Sequence, residues 1–291
     1  MNRATWIGVV AILLWSSLAL LTTATAGVPP FELLALSFAV AFAASAVVLA
    51  AGGRRSLRRL RQPVAAWTLG FCGIFLYHAL YFVALKAAPP AEASLVAYLW
   101  PLLIVLLSAA LPNERLHGWP VLGRQVLGAM LGLAGTALVL RQGRHETGSA
   151  PLLGYAAAAG CAFVWSGYSV LNRRFASVPS ELIGGVCGLV AVAGLACHLA
   201  FEPTIWPGGA QWAAILLLGL GPVGLAFFAW DHATKHGQLA TLGTLSYLAP
   251  LLSTLLLIAT GRTSASLAVA AAAALITGGA AIATRPAGTG P

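Results

Sequence analysis

Two stretches of the chain carry the same pattern, YLWPLL at residues 98–103 and YLAPLL at residues 247–252. They lie 149 positions apart, and this offset aligns residues 69–103 with residues 218–252 without a gap. Eleven of the 35 aligned positions are identical, including the Tyr, the Pro and a Lys. Similar apolar segments often arise by chance, but matching Tyr, Pro and Lys in serial order is much less common. The chain therefore contains an internal repeat.

The repeat lies in a strongly apolar chain. Of its 291 residues, 59% are hydrophobic and 8% are charged, and the mean hydropathy is +0.89. A soluble globular domain is about 25% charged, so the composition excludes a soluble enzyme, a disordered chain and a disulfide scaffold. A membrane core about 30 Å thick needs roughly 20 apolar residues per helix. We expect an all-α polytopic membrane protein with no room for a soluble domain.

Hydropathy and helix breakers divide the chain into ten predicted spans. The spans are residues 5–25, 31–51, 64–86, 91–111, 121–140, 152–172, 181–200, 211–234, 239–260 and 264–284. The repeat unit then holds five spans, with units at residues 1–145 and 146–291. Because five is odd, the second unit enters the membrane from the opposite side. The prediction is two inverted five-helix repeats in one membrane domain, with a substrate site near the midplane between them.

Basic residues predict how the spans are oriented. With the N-terminus inside the cell, twelve of the 16 Lys and Arg residues fall on inside segments, whereas four fall outside. The outside four are Lys86, Arg141, Arg144 and Arg262. This bias predicts that both termini are cytoplasmic. It also explains the net charge of +9, so no nucleic-acid partner is expected.

Prolines interrupt the predicted spans four and nine at Pro101 and Pro250. Proline has no N–H, so the carbonyls of Ala97 and Ser246 are expected to lose their helical partners. In a membrane such breaks are tolerated where they face protein or a wet cavity. Two interpretations remain open: a cavity-lining kink whose free carbonyls bind an ammonium group, and a kink that serves packing alone.

Several aromatic residues lie too deep in the predicted spans for an interfacial belt. Tyr77 and Tyr81 share one helix face, and His78 lies beside them. An aromatic cavity would stack a planar side chain and attract an ammonium group, whereas ordinary core packing is the alternative. His78 could donate to a carboxylate or carry a proton, or be a neutral core histidine bonded to a carbonyl. The predicted substrate-binding set is Trp15, Tyr77, His78, Tyr81, Tyr98, Trp100, Trp165, Tyr168, Trp230, Ser246 and Tyr247.

Other motifs are informative mainly by exclusion. The sequence has no P-loop, no GxSxG and no zinc signature, so neither an ATP-driven transporter nor an enzyme is expected. His232 and His236 have metal-ligand spacing but no further ligand nearby, so no metal or other cofactor is predicted. Deep cations are almost absent, which disfavours phosphorylated cargo. Gly128-x-x-x-Gly132 predicts close helix contact, and packing within the chain is preferred over contact between two copies.

Two inverted five-helix repeats with short loops resemble the EamA-type branch of the drug/metabolite transporter superfamily over the whole chain. Within that branch, YLWPL at residues 98–102, preceded by Tyr77-His78-x-x-Tyr81, is similar to the bacterial aromatic amino-acid exporters. The resemblance implies a secondary transporter that exports aromatic and other hydrophobic amino acids across the inner membrane by alternating access. Its partners would be the small-molecule substrate and the lipid bilayer, with no obligate protein partner. The alternatives are export of hydrophobic drugs or sugar-type metabolites, and less plausibly a membrane enzyme or receptor.

The expected path of the substrate follows from the aromatic positions. Spans one, three, four, six, eight and nine should line it, because they carry the deep aromatic residues. Spans five and ten carry mainly small and aliphatic residues, so we expect them to be scaffold.

Overall fold

The computed structural model describes residues 1–109, 118–140, 151–261 and 264–284, and these ranges are helical with no strand. The predicted outside residues Arg141, Arg144 and Arg262 lie outside the described residues. The α-helices are α1 (Arg3–Ser16), α2 (Leu18–Ala24), α3 (Pro30–Ala51), α4 (Gly53–Arg58), α5 (Val64–Ala87), α6 (Pro90–Ala97), α7 (Trp100–Ser108), α8 (Gly118–Leu140), α9 (Pro151–Leu171), α10 (Leu182–Phe201), α11 (Gly209–Leu220), α12 (Ala226–His236), α13 (Leu239–Leu245), α14 (Leu248–Ala259) and α15 (Leu267–Thr284).

Eight helical stretches in the described chain are long and apolar enough to cross a membrane. They are Arg3–Ala24, Pro30–Ala51, Val64–Ala87, Pro120–Leu138, Leu182–Phe201, Gly209–His236, Leu239–Ala259 and Leu267–Thr284. A shorter apolar stretch, Glu92–Ser108, runs through α6 and α7. Helix α9 is 21 residues long but is not among the eight. Its Tyr, Trp, Ser and Gly residues explain this, because they lower its mean hydropathy.

The two predicted prolines do interrupt their helices. Helix α6 ends at Ala97 and α7 begins at Trp100, and α13 ends at Leu245 before α14 begins at Leu248. The expectation of a free Ser246 carbonyl is wrong, because the N–H of Ala249 donates to it at 3.1 Å. A short i to i+3 turn thus satisfies the group that the proline leaves without its usual partner. In the described chain no donor reaches the Ala97 carbonyl.

A third interruption separates α11 from α12. Residues Gly221–Leu225 form a π-helical segment with Pro222 at its start. The Pro222 carbonyl accepts a hydrogen bond from the indole N–H of Trp15 at 3.0 Å. Such π segments are frequent at functional sites. This one ties α1 to the middle of the longest membrane stretch.

Glycines bring several helices into close contact within the chain. A Cβ on Gly128 of α8 would lie 2.4 Å from the Gly279 carbonyl oxygen of α15, and a Cβ on Gly135 would lie 2.9 Å from that of Ala272. Similarly, a Cβ on Gly184 of α10 would lie 2.5 Å from a side-chain oxygen of α3. The prediction that Gly128 mediates packing within the chain is confirmed.

The N-terminus of α3 is held by an acidic residue from the end of α10. The Glu202 carboxylate accepts hydrogen bonds from the backbone N–H groups of Phe31 and Glu32, at 3.0–3.2 Å. The first N–H groups of a helix have no partner within it, and a carboxylate there is favoured by the helix dipole. His198 contacts Glu202 through Nδ1 at 3.1 Å. These buried groups fasten α3 to α10 away from the central cavity.

Candidate functional site

A cavity of about 620 Å³ lies between the first and second halves of the chain. This volume is within the range typical of small-molecule sites. Lining residues come from α1, α2, α3, α5, α6, α7, α9, α11, the π segment, α12 and α14, and from the connection between α2 and α3. None of the described lining residues is Lys, Arg, Asp or Glu. The aromatic lining consists of Trp15, Phe38, Tyr77, His78, Tyr81, Phe82, Tyr98, Trp100, Trp165 and Phe227.

Indole rings form the deepest part of the wall. Trp165 of α9 packs against Trp15 of α1, with ring centroids 5.6 Å apart, and against Trp100 of α7 at 6.3 Å. Both pairs are edge-to-face, the geometry that aromatic quadrupoles favour. Tyr77 of α5 lies 5.5 Å from Trp165. Four helices, α1, α5, α7 and α9, therefore supply one continuous aromatic surface.

His78 sits on this surface with one nitrogen already in use. Its Nδ1 lies 2.8 Å from the carbonyl oxygen of Ile74, one turn earlier in α5. Phe38 and Tyr77 flank the ring, at centroid distances of 5.5 and 5.4 Å. Both features considered for His78 from the sequence are present, since it bonds to a backbone carbonyl and also lines the cavity.

The tyrosine hydroxyls of the wall differ in their partners. The Tyr81 hydroxyl is bonded to Ser94 Oγ at 2.9 Å, which joins α5 to α6. Within the described ranges the hydroxyls of Tyr77 and Tyr98 have no hydrogen-bond partner, although both residues line the cavity. These two hydroxyls can donate to or accept from a bound molecule.

Four residues of the predicted set lie behind the wall rather than on it. Trp230 is fully buried behind Trp15 and donates its indole N–H to Ser169 Oγ at 3.0 Å. Tyr168 is buried against Gly73 of α5. It lies on a face of α9 that does not line the cavity. Its hydroxyl has no partner among the described residues.

The other two belong to the break between α13 and α14. Ser246 donates its hydroxyl to the Leu242 carbonyl at 2.7 Å, so the hydroxyl is used within its own helix. The Tyr247 hydroxyl donates to the Tyr98 carbonyl at 3.2 Å, and its ring packs on Gly132. Neither side chain reaches the cavity. The kink at Pro250 therefore brings Ala249 and Ser253 to the lining instead.

Helix α3 is the element that the sequence reasoning missed. It contributes Phe38 to the wall, where this ring packs against Phe227 at 5.8 Å. Phenylalanine in an apolar span gives no signal in sequence that separates a cavity wall from lipid contact. Helices α8 and α15 supply none of the described lining residues, in line with their expected scaffold role.

At one end of the cavity the lining includes residues that are exposed at the protein surface. There the connection between α2 and α3 forms its rim, and Thr22, Ala26 and Gly27 are exposed. We call this the open end.

A buried polar network fills the opposite end. Lys235 Nζ lies 2.7 Å from Asp231 Oδ2 and donates to the Val178 carbonyl at 2.9 Å. Asn172 donates to Asp231 Oδ1 at 3.0 Å. We call Asn172, Val178, Asp231 and Lys235 the closed end. This pair was not predicted from the sequence, although the i, i+4 spacing of an acid and a base on one helix face is a signal that could have indicated it. His232 and His236 lie nearby with ring centroids 4.9 Å apart, away from the cavity.

Comparisons with known proteins agree with a transport site. The model of the EamA-like transporter family matches the chain twice, over residues 2–141 and 152–285. The aromatic amino acid exporter YddG of Ancylobacter novellus is 54% identical over 287 residues, covering 97% of each chain. YddG of Escherichia coli is 24% identical over 286 residues, covering 88% of this chain and 87% of the relative. A solved structure titled "Crystal structure of protein" superposes with a TM-score of 0.89 at 53% identity, covering 97% of this chain and 96% of that one. The chain is a member of the EamA-like transporter family.

Proposed function

We propose that this protein exports aromatic and other hydrophobic amino acids across the bacterial inner membrane by alternating access. The observation that carries the proposal is the large, uncharged and aromatic cavity between the two halves of the chain. Such a wall stacks planar side chains, and Tyr and Trp faces attract an ammonium group. The relative that is 54% identical over 97% of the chain bears the name of an aromatic amino acid exporter.

The proposed architecture has ten spans. The stretch Glu92–Ser108 is apolar but shorter than the eight, and α9 is long enough but less apolar; they coincide with predicted spans four and six. Helices of this kind suit a membrane protein when they face the interior, where polar and aromatic residues are tolerated. Because ten is even, both termini lie on the same side of the membrane, and the bias of Lys and Arg residues favours the cytoplasmic side.

The two halves, residues 1–145 and 146–291, are proposed as inverted repeats. In support, the family model matches each half separately, and the gap between the matches contains the proposed boundary. Equivalent residues of the two halves also meet near the cavity. Trp15 contacts Trp165, and His78 contacts Phe227 with centroids 6.3 Å apart. Contact between equivalents is expected where a pseudo-two-fold axis passes through a transporter.

The conformation that follows is outward-open. If the N-terminus is cytoplasmic, α1 and α2 carry the chain across to Thr22–Pro30, so the open end faces outward. The closed end, with its buried Asp231–Lys235 pair, then faces the cytoplasm. Alternating access requires this end to separate while the rim around Gly27 closes.

The test is flux of labelled phenylalanine, tryptophan, alanine and lysine in proteoliposomes that contain only this protein, with and without a pH gradient. We expect flux of the two aromatic amino acids above that of empty liposomes. Lysine should remain at background, because no described lining residue can neutralise its second charge. Absence of aromatic flux would overturn the proposal and direct attention to hydrophobic drugs or sugar-type metabolites. The effect of the gradient distinguishes proton coupling from facilitated diffusion.

A further inference from the structure

We infer that the cavity recognises its substrate mainly through the ammonium group, with His78 Nε2 as acceptor. It should therefore also take primary aromatic amines that lack a carboxylate. This inference rests on the proposed function, and it adds a substrate class that the relatives' names do not include.

The first step is the protonation pattern of His78. The Ile74 carbonyl, 2.8 Å from Nδ1, can only accept a hydrogen bond, so Nδ1 must carry the proton. In a neutral imidazole the other nitrogen, Nε2, is then an acceptor with a free lone pair. No partner for Nε2 is found in the part of the chain that the structure describes, and the residue lines the cavity. An acceptor is thus fixed in orientation and available to a bound molecule.

The surroundings of His78 favour the neutral ring. Phe38, Tyr77, Phe82 and Phe227 face it, with ring centroids 5.4–6.4 Å away. None of these groups is charged, and no described carboxylate forms an ion pair with the ring. Burying a charge without a partner is costly, so the ring remains an acceptor until a cation arrives.

The second step is the asymmetry of the wall toward the two ends of an amino acid. The described lining offers an ammonium group the acceptor His78 Nε2 and the faces of the aromatic rings. A carboxylate meets no cation, and the donors that the described lining offers it are neutral groups, such as the hydroxyls of Tyr77 and Tyr98. Hydrogen bonds to charged groups are worth about 1.5–3 kcal/mol, and cation–π contacts add to the ammonium side. Losing the carboxylate should therefore matter less than losing the amine.

The experiment compares three molecules that share one phenyl ring. Unlabelled phenylalanine, phenethylamine and 3-phenylpropionate compete with labelled phenylalanine for flux into strongly buffered proteoliposomes. We expect phenethylamine to inhibit at concentrations within about fivefold of phenylalanine, and 3-phenylpropionate to be weaker by about tenfold or more. The strong buffer prevents permeation of the neutral amine from changing the pH.

Substitutions at His78 identify the acceptor. His78→Asn keeps a donor near Nδ1 for the Ile74 carbonyl but removes the acceptor at Nε2, whereas His78→Gln places an amide near the Nε2 position. We expect His78→Asn to lose the advantage of phenethylamine over 3-phenylpropionate and His78→Gln to retain part of it. His232→Asn, the same change at a histidine away from the cavity, should behave as the unmodified protein. Size-exclusion profiles establish that each variant is folded.

The outcomes separate this inference from the proposed function. If labelled phenylalanine does not move at all, the proposed function fails. If it moves but 3-phenylpropionate competes as well as phenethylamine, the function stands and the amine inference fails. An unchanged preference in His78→Asn would leave amines as substrates but remove His78 as their acceptor.

Discussion

At the scale of single residues, position relative to the cavity decides what a side chain does. Tyr77 and Tyr247 are both tyrosines in the middle of membrane stretches. The Tyr77 hydroxyl faces the cavity with no partner among the described residues, whereas the Tyr247 hydroxyl is bonded to the Tyr98 carbonyl at 3.2 Å. Their sequence contexts do not distinguish these roles, because both lie in apolar helical segments.

Replacing each tyrosine by phenylalanine separates binding from stability. We expect Tyr77→Phe to raise the KM for phenylalanine by about fivefold, since a hydrogen bond to the charged carboxylate is lost, with little change in thermal unfolding. Tyr247→Phe should lower the stability by about 1 kcal/mol, because the Tyr98 carbonyl loses a donor, and leave the KM unchanged. Flux kinetics and the unfolding midpoint in detergent measure both effects. The assignment of Tyr77 to the binding surface fails if the two variants behave alike.

A second prediction at this scale concerns the Asp231–Lys235 pair, in which both side chains are almost inaccessible. Asp231→Asn leaves the Lys235 ammonium buried without its counter-charge, which costs about 3–5 kcal/mol of stability. The double change Asp231→Leu with Lys235→Met removes both charges, so it should be less destabilising than the two single changes added together. Unfolding midpoints of Asp231→Asn, Asp231→Leu, Lys235→Met and the double change test this. Strict additivity would show that the pair is not coupled.

The residue scale also shows where the sequence was sufficient. Tyr77, His78, Tyr81, Tyr98 and Trp100 belong to the predicted substrate-binding set, and they line the cavity, while their contact with substrate stays a prediction. Trp230 was included in the predicted set but lies behind the cavity wall, because residue spacing does not give the rotation of one helix against another. Phe38 lines the cavity but was not predicted, because phenylalanine is common on every surface of a membrane helix. The direction of each side chain around its helix axis is therefore what the sequence alone did not give.

At the scale of elements, the interrupted helices differ between the two halves. Pro222 opens a π segment between α11 and α12, whereas the equivalent position, Gly73, lies inside the regular helix α5. A proline in a span predicts an interruption, because it removes an N–H from the helix, but it does not give the form of the interruption. Here the π segment presents the carbonyl of Pro222 itself to the indole N–H of Trp15, more than 200 positions away in the chain. Such a long-range partner could not be read from local sequence.

The contact between α8 and α15 makes a sharp prediction about adjacent glycines. A Cβ on Gly279 would lie 2.5 Å from the Gly128 carbonyl oxygen, whereas a Cβ on Gly278 would meet nothing within 4 Å. Gly279→Ala should therefore destabilise the protein by about 1–3 kcal/mol through overpacking. Gly278→Ala should be neutral or stabilising by up to about 1 kcal/mol, because alanine favours the helix. Thermal unfolding in detergent measures both, and equal midpoints would contradict the close packing of these helices.

At the scale of the whole molecule, hydropathy predicted an all-helical, multi-pass protein because each helix must satisfy its own backbone in lipid. The contacts also follow the proposed symmetry. Spans five and ten align at an offset of 144, which pairs Gly135 with Gly279 and Ala137 with Ala281. With this alignment the contact of Gly128 with Gly279 has its counterpart in that of Gly135 with Ala272. The repeat was visible in sequence because Tyr, Pro and Lys stand out in an apolar background. The open and closed ends of the cavity could not be predicted from the sequence, because the same sequence adopts both conformations of an alternating-access cycle.

The last prediction tests the inverted topology with one matched pair of sites. Ala26 and Ala176 occupy equivalent positions, 150 residues apart, and both are exposed. If the halves are inverted, Ala26 lies outside and Ala176 in the cytoplasm. In a background that lacks the partly exposed Cys72 and Cys197, Ala26→Cys should react with a membrane-impermeant maleimide added to intact cells. Ala176→Cys should react only after the cells are made permeable, because the reagent cannot cross the bilayer. Labelling of both sites in intact cells would place them on the same side, which an odd number of spans between them does not allow.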